Sequence, residues 1–280
     1  MAFLIGLTIP FCVTYIKETN NTKVRGRKDV EHLAVPFLGE IPQYSKDSRH
    51  HSGKSAGQEP NTIVVKEGKR DIINEAFRVL RTNVEFMCDS TSGAKVIAFT
   101  SFNPGSGKSF ISVNLGMSIA LKDKKVLIID GDMRHGSTSA YIGSPKIGLS
   151  NYLSGSETDI SKVIVKDTAC DTLFYLPVGS IPPNPTELLE SSRLSDLLDA
   201  AKEKFDYIII DCPPIEVVAD AQIIDRYADR TFFIVRAGLL ERSILPDLDR
   251  LYEEKKYRNM AFILNGTRND QGRYGYSHSY

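Results

Sequence analysis

The chain has no tryptophan, no net charge, no paired cysteines and no internal repeat. The missing tryptophan excludes nothing. The charge balance says more: Lys+Arg and Asp+Glu are both 35, so there is no basic excess to neutralise a phosphodiester backbone, and no nucleic acid is expected as a partner. The four cysteines, Cys12, Cys88, Cys170 and Cys212, are scattered without a C-x-x-C pair, which argues against a zinc or dithiol site. A chain of 280 residues buries enough surface to fold without disulfides, so a reducing compartment is expected for its globular part. His50 and His51 stand in a polar stretch with no carboxylate or cysteine beside them and read as solvated linker residues.

Long uncharged runs are also scarce. The one at residues 1–16, MAFLIGLTIPFCVTYI, is shorter than the roughly 20 apolar residues a spanning helix needs. Its basic flank, Lys17, Lys23, Arg25, Arg27 and Lys28, follows the run, whereas a signal peptide carries its charges in front. Residues 1–17 are therefore expected to be the cytoplasmic half of a membrane helix that begins further upstream. Residues 18–61 read as a juxtamembrane connector and flexible linker, interrupted by the short apolar patch Leu33 to Pro42. The last segment, residues 270–280, has no aliphatic residue and reads as a disordered tail.

Between them, residues 62–269 alternate strand and helix patterns. Val96–Thr100, Val126–Asp130, Leu173–Leu176, Tyr207–Asp211, Phe232–Arg236 and Ala261–Asn265 are short, nearly continuous apolar runs, as in strands buried on both faces of a parallel sheet. Ile63–Val65 is a shorter strand candidate. Helical patterns cover 71–87, 110–121, 186–204, 217–227 and 241–255, with Ile72, Ala76, Phe77, Leu80, Val84 and Met87 expected on the buried side of the first. The layout predicts an α/β fold with a doubly wound, mostly parallel sheet.

Three motifs sit at the C-terminal ends of such strands. Pro104-Gly105-Ser106-Gly107-Lys108-Ser109-Phe110 joins a strand to a helix, and glycines there turn backbone N–H groups onto an anion at a helix N-terminus. The usual pattern has glycine at position 102, where this chain has Phe102. Asp130-Gly131-Asp132-Met133-Arg134 and Asp211-Cys212-Pro213-Pro214 each close another apolar strand. Ligands of open parallel sheets bind along that edge. Lysine and amides for phosphate oxygens, with Ser109 and carboxylates for a hard divalent ion, are the donor set that ATP and Mg²⁺ require.

The set resembles the ParA/MinD branch of P-loop ATPases, but Asn103 stands where that branch carries a signature lysine. Asp-x-Asp-x-Arg, Asp-x-Pro-Pro and the Glu75, Arg78, Arg81 pattern of E-x-x-R-x-x-R are together more similar to the bacterial tyrosine kinases of capsule and exopolysaccharide assembly. Gly148–Ser150, Gly179–Leu189, Leu38–Pro42 and the tail tyrosines extend that resemblance over essentially the whole chain. No His-Arg-Asp or Asp-Phe-Gly tripeptide of the eukaryotic-type kinases occurs.

The resemblance implies transfer of the γ-phosphate of ATP to Tyr274, Tyr276 and Tyr280 of a neighbouring copy. It implies Lys108, Asp130 and Asp132 as catalytic residues, with Asp130 near the attacking hydroxyl. It further implies Ser109, Asp132 and Asp211 around Mg²⁺, Asn265 at the adenine, and Glu75, Arg78 and Arg81 at a ring interface. Polysaccharide assembly machinery, a tyrosine phosphatase and the inner membrane are the implied partners, with the kinase domain facing the cytoplasm. Two other functions fit parts of the pattern: a membrane-tethered ParA/MinD-like ATPase switch, and a structural chain-length regulator to which nucleotide is incidental.

Overall fold

The computed structural model describes residues 22–44, 62–88, 93–217 and 219–268. The expected membrane helix, most of the linker and the tyrosine tail lie outside them. Among the described residues no helix is long and apolar enough to cross a membrane.

Eight strands form one sheet: β1 (Phe37–Pro42), β2 (Lys95–Thr100), β3 (Val126–Asp130), β4 (Val165–Lys166), β5 (Leu173–Leu176), β6 (Tyr207–Asp211), β7 (Arg230–Arg236) and β8 (Ala261–Thr267). Their order is β1-β8-β7-β2-β6-β3-β5-β4. Every pairing is parallel except that of β4 with β5. Eight helices connect them: α1 (Ile72–Cys88), α2 (Lys108–Ala120), α3 (Leu149–Leu153), α4 (Ile160–Val163), α5 (Pro185–Leu189), α6 (Ser192–Lys202), α7 (Asp220–Asp225) and α8 (Leu245–Glu253).

The continuous apolar runs have the expected cause. Along β2, Ile97 and Phe99 join a core with Phe77, Leu80, Ile111 and Leu115 of α1 and α2. Val96 and Ala98 face a second core with Leu197 and Leu198 of α6 and Leu248 of α8. A strand covered on both faces keeps no polar alternation.

Four expectations change. The patch read as connector is an edge strand: Phe37–Pro42 pairs with β8, and Val24, Val30, Val35, Leu38 and Ile41 are core residues. Residues 22–44 therefore share the sheet and core with the described residues from 62 onward. Pro42 ends the strand at the sheet edge, where a residue without an N–H is tolerated.

Ile63–Val65 is extended but joins no sheet. Asn114 Oδ1 accepts from the Val64 and Val65 amides at 2.7 and 3.1 Å, and the Lys66 amide donates to Asn74 Oδ1 at 2.9 Å. Side-chain amides of α2 and α1 thus satisfy backbone groups that a neighbouring strand would otherwise bind. The buried stripe of α1 is Ile73, Phe77, Leu80, Val84 and Cys88, one position on from the expected start, and Ile72 is 52% exposed. The helix expected over 186–204 is two, because Ser191 turns its hydroxyl back onto the Leu188 carbonyl at 2.7 Å and breaks the run.

Candidate active site

The parallel strands bring the three motifs to one edge, with Asp130 of β3 directly paired with Asp211 of β6, and β6 paired with β2. β2 delivers the chain into the loop of residues 101–107. Gly105 and Gly107 adopt φ of +74° and +89°, conformations that favour glycine. Pro104 and Gly105 form the exposed crest, and Ser106 is buried. The hydroxyls of Ser101 and Ser106 both donate to the Asn103 carbonyl at 2.8 Å, drawing the loop tight.

Phe102 occupies the position usually held by glycine because it serves the core. It is 6% exposed, and its ring lies 5.9 Å from that of Phe233. Asn103 donates its side-chain amide to Glu216 at 2.8 Å, tying the loop to the segment after Asp211. Phe110 likewise turns its ring inward onto Phe77 at 5.8 Å, leaving only its backbone for a ligand at the helix start.

Lys108 opens α2 and is buried. Ser109 Oγ donates to Asp211 Oδ2 at 2.5 Å, and Thr138 Oγ1 donates to the same oxygen at 2.6 Å. Asp130 Oδ2 accepts from the amide and the hydroxyl of Ser139 at 2.6 and 2.7 Å. Sequence reasoning passes over Thr138 and Ser139, which lie in a stretch with no recognisable motif. Asp132 Oδ1 accepts from the Arg134 and His135 amides at 3.3 Å and contacts His135 Nδ1 at 3.2 Å, so it shapes its own turn.

Arg134, whose role the sequence leaves open between structure and phosphate contact, bonds Thr186 at 3.2 Å and lies 3.6 Å from buried Asp220. It thereby anchors α5 and α7 to the turn after β3. Thr186 completes the triangle by donating to Asp220 at 2.8 Å.

Burial pushes the Asp130 carboxyl up to about 7, helped by the Asp211 charge and opposed by the two Ser139 hydrogen bonds. Burial also raises Asp211, opposed chiefly by Lys108 and by the Ser109 and Thr138 hydroxyls. On each of these two aspartates Oδ1 is buried without a hydrogen-bond partner. The open Asp211 oxygen, beside the Ser109 hydroxyl and Lys108, fits a divalent cation that takes its remaining ligands from phosphate and water, and the open Asp130 oxygen is left for another partner. Among the described residues no three His, Cys, Asp or Glu side chains converge as a metal cage.

Two groups of expected residues stand differently. Asn265 lies within β8, is fully buried, and donates its side-chain amide to the Ser106 carbonyl at 2.8 Å, so it holds the loop from beneath. In the E-x-x-R-x-x-R helix, Arg78 pairs with Glu75 at 2.8 Å on the surface. Arg81 instead turns inward and donates to the Ser118 carbonyl of α2 at 2.7 Å.

A family model described as an AAA domain matches residues 94–226. The tyrosine-protein kinase CpsD of Streptococcus agalactiae is 37% identical over 210 residues, covering 72% of this chain and 89% of the relative. The tyrosine-protein kinase wzc of Salmonella typhimurium is 30% identical over 240 residues, covering 84% of this chain and 33% of the relative. Among solved structures, the kinase domain of the Escherichia coli tyrosine kinase ETK superposes with a TM-score of 0.76 at 30% identity, over 92% of this chain and all of that one.

Proposed function

The chain belongs to the bacterial tyrosine-protein kinases, and from that premise we propose that it transfers the γ-phosphate of ATP to the tail tyrosines Tyr274, Tyr276 and Tyr280 of a neighbouring copy. The observation that carries this reading is the pairing of Asp130 with Asp211 beside Lys108 and Ser109, each aspartate holding one buried oxygen open. The amides and lysine of residues 104–110 bind the phosphates. Ser109 and Asp211 would hold Mg²⁺, with Asp132 as a further candidate ligand. When bound, the ion neutralises phosphate charge.

The phenolic oxygen attacks the γ-phosphorus in line, the bond to the β-phosphate oxygen breaks, and ADP leaves. A phenol ionises only near pH 10, so a proton acceptor is needed at neutral pH. Asp130, whose Oδ1 is buried without a hydrogen-bond partner, is the group we assign to that task.

The same reading assigns the chain to polysaccharide assembly at the inner membrane, with the kinase domain in the cytoplasm, self-association through α1, and a tyrosine phosphatase as the opposing enzyme. Glu75 and Arg78 are the surface residues of the motif that support the contact, and Arg81 supports the helix beneath them.

Incubation with MgATP followed by phosphotyrosine detection tests the proposal. Wild type is expected to label itself, Lys108→Met to give no signal, and the triple Tyr→Phe tail variant to lose most of it. ATP hydrolysis by wild type without phosphotyrosine, under conditions that permit self-association, sinks the kinase reading and favours the ATPase switch. Asp130→Asn is expected to keep Mg²⁺-dependent ADP binding and lose transfer, whereas Asp211→Asn is expected to lose the Mg²⁺ dependence itself. Calorimetry with and without Mg²⁺ separates the two.

A further inference from the structure

The sheet order gives the crevice two unlike ends. Asp211 of β6 and Asp130 of β3 lie on one side of β2, and β7 and β8 lie on the other. A nucleotide whose terminal phosphates meet the carboxylates therefore runs its α-phosphate and nucleoside toward β7 and β8. At that end Arg236, the last residue of β7, is paired directly with Asn265 of β8. Both side chains crowd the same loop residue. A Cβ on Gly107 would lie 2.2 Å from Asn265 Nδ2 and 3.4 Å from Arg236 Nη1. The stem of Arg236 rests against Gly266, whose Cβ position is 3.8 Å from Cγ. Burial works against the protonated guanidinium here, so the fold holds a cation where solvation does not favour one.

We propose that Arg236 is a positioning residue for the nucleotide: its guanidinium backs Gly107 and sets a second fixed positive charge, after Lys108, at the end of the phosphate cradle away from the carboxylates. The arrangement gives the loop a charge on each side. Lys108 lies near Asp211, and Arg236 ends β7, on the side of β2 away from both carboxylates. The inference rests on residues 104–110 being the phosphate cradle.

The test is MgADP binding by calorimetry on the full chain, with KM and kcat for MgATP measured alongside. Arg236→Gln is expected to weaken MgADP at least about tenfold, which is about 1.4 kcal/mol. It should raise the KM for MgATP similarly and leave kcat within about threefold. Arg236→Lys keeps the charge and is expected to stay within about threefold of wild type. AMP, with fewer phosphate charges, should feel Arg236→Gln less than MgADP does. Should Arg236→Gln lower the melting temperature of the nucleotide-free chain, Arg236→Met, which keeps the stem against Gly266, carries the same comparison. MgADP affinity within threefold of wild type in the charge-removing variant, or an Arg236→Lys as weak as Arg236→Gln, overturns the assignment. Failure of wild type to bind MgADP overturns the cradle itself, a result distinct from either.

Discussion

A methyl group on Gly107 would meet Asn265 Nδ2 at 2.2 Å, at a backbone φ of +89° that L-residues rarely adopt. Strain and collision then act together. Gly107→Ala is expected to cost at least tenfold in MgADP affinity while the far-ultraviolet circular dichroism stays that of the wild type. The partner substitution acts differently. Asn265→Ala removes the donor to the Ser106 carbonyl and leaves that group unpaired beneath the loop. Such a loss costs about 1–3 kcal/mol, and urea unfolding is expected to show it. Gly107 could be singled out from its neighbours in the motif alone. Its dependence on Asn265 could not, because the two meet only through the pairing of distant strands.

Helix α1 shows how one element serves two surfaces. Asp71 caps it: Asp71 Oδ1 accepts from the Asn74 amide at 2.8 Å, and the Glu75 amide closes onto the Asp71 carbonyl at 2.9 Å. Burial would raise the Asp71 carboxyl, but hydrogen bonds from Lys69 and Asn74 outweigh it and hold the group down at about 2. A depressed folded-state value means the stabilisation is present above the unfolded value and lost as pH falls through the folded one. Asp71→Ala is therefore expected to destabilise by about 1 kcal/mol near neutrality, with the gap to wild type closing between about pH 4 and about pH 2. Equilibrium denaturation across that range checks it.

The two arginines of the same helix should separate. Arg81→Ala removes a partly buried bond between α1 and α2 and is expected to cost about 1–3 kcal/mol. Arg78→Ala breaks a surface pair worth well under 1 kcal/mol. An oligomer contact made by Arg78 would instead appear as a shift in sedimentation with unchanged monomer stability.

Residues 22–44, far from every motif in the chain, belong to the kinase fold. β1 covers the edge of β8, and Ile41 is fully buried among Phe77, Leu80 and Ile263. Ile41→Ala is expected to cost about 2–5 kcal/mol by urea unfolding, although it lies far along the chain from every catalytic motif. A chain begun at residue 62 should unfold at lower denaturant and associate through the uncovered strand. Ile72, Val79 and Phe86, seven residues apart on α1, leave an apolar row in solvent, with Phe86 86% exposed. That row continues the Glu75 and Arg78 surface, so Phe86→Glu is expected to shift the chain toward monomer in sedimentation without lowering its melting temperature.

The sequence by itself determined the layered fold and the placing of Lys108, Ser109, Asp130 and Asp211 at the ends of strands along one sheet edge. Each of these is written in a contiguous pattern: an apolar run, a glycine turn, a carboxylate at a strand end. Only the tertiary structure decided which carboxylate oxygens stay open, that Thr138 and Ser139 hold the others, that Phe102 is a core residue, and that Phe37–Pro42 is a strand. It alone set Arg236 and Asn265 against Gly107. Those outcomes rest on hydrogen bonds and contacts between residues as far apart in the chain as Phe37 and Phe262, 225 positions. A local pattern shows that a side chain is polar or apolar, and the packing of distant strands selects its partner.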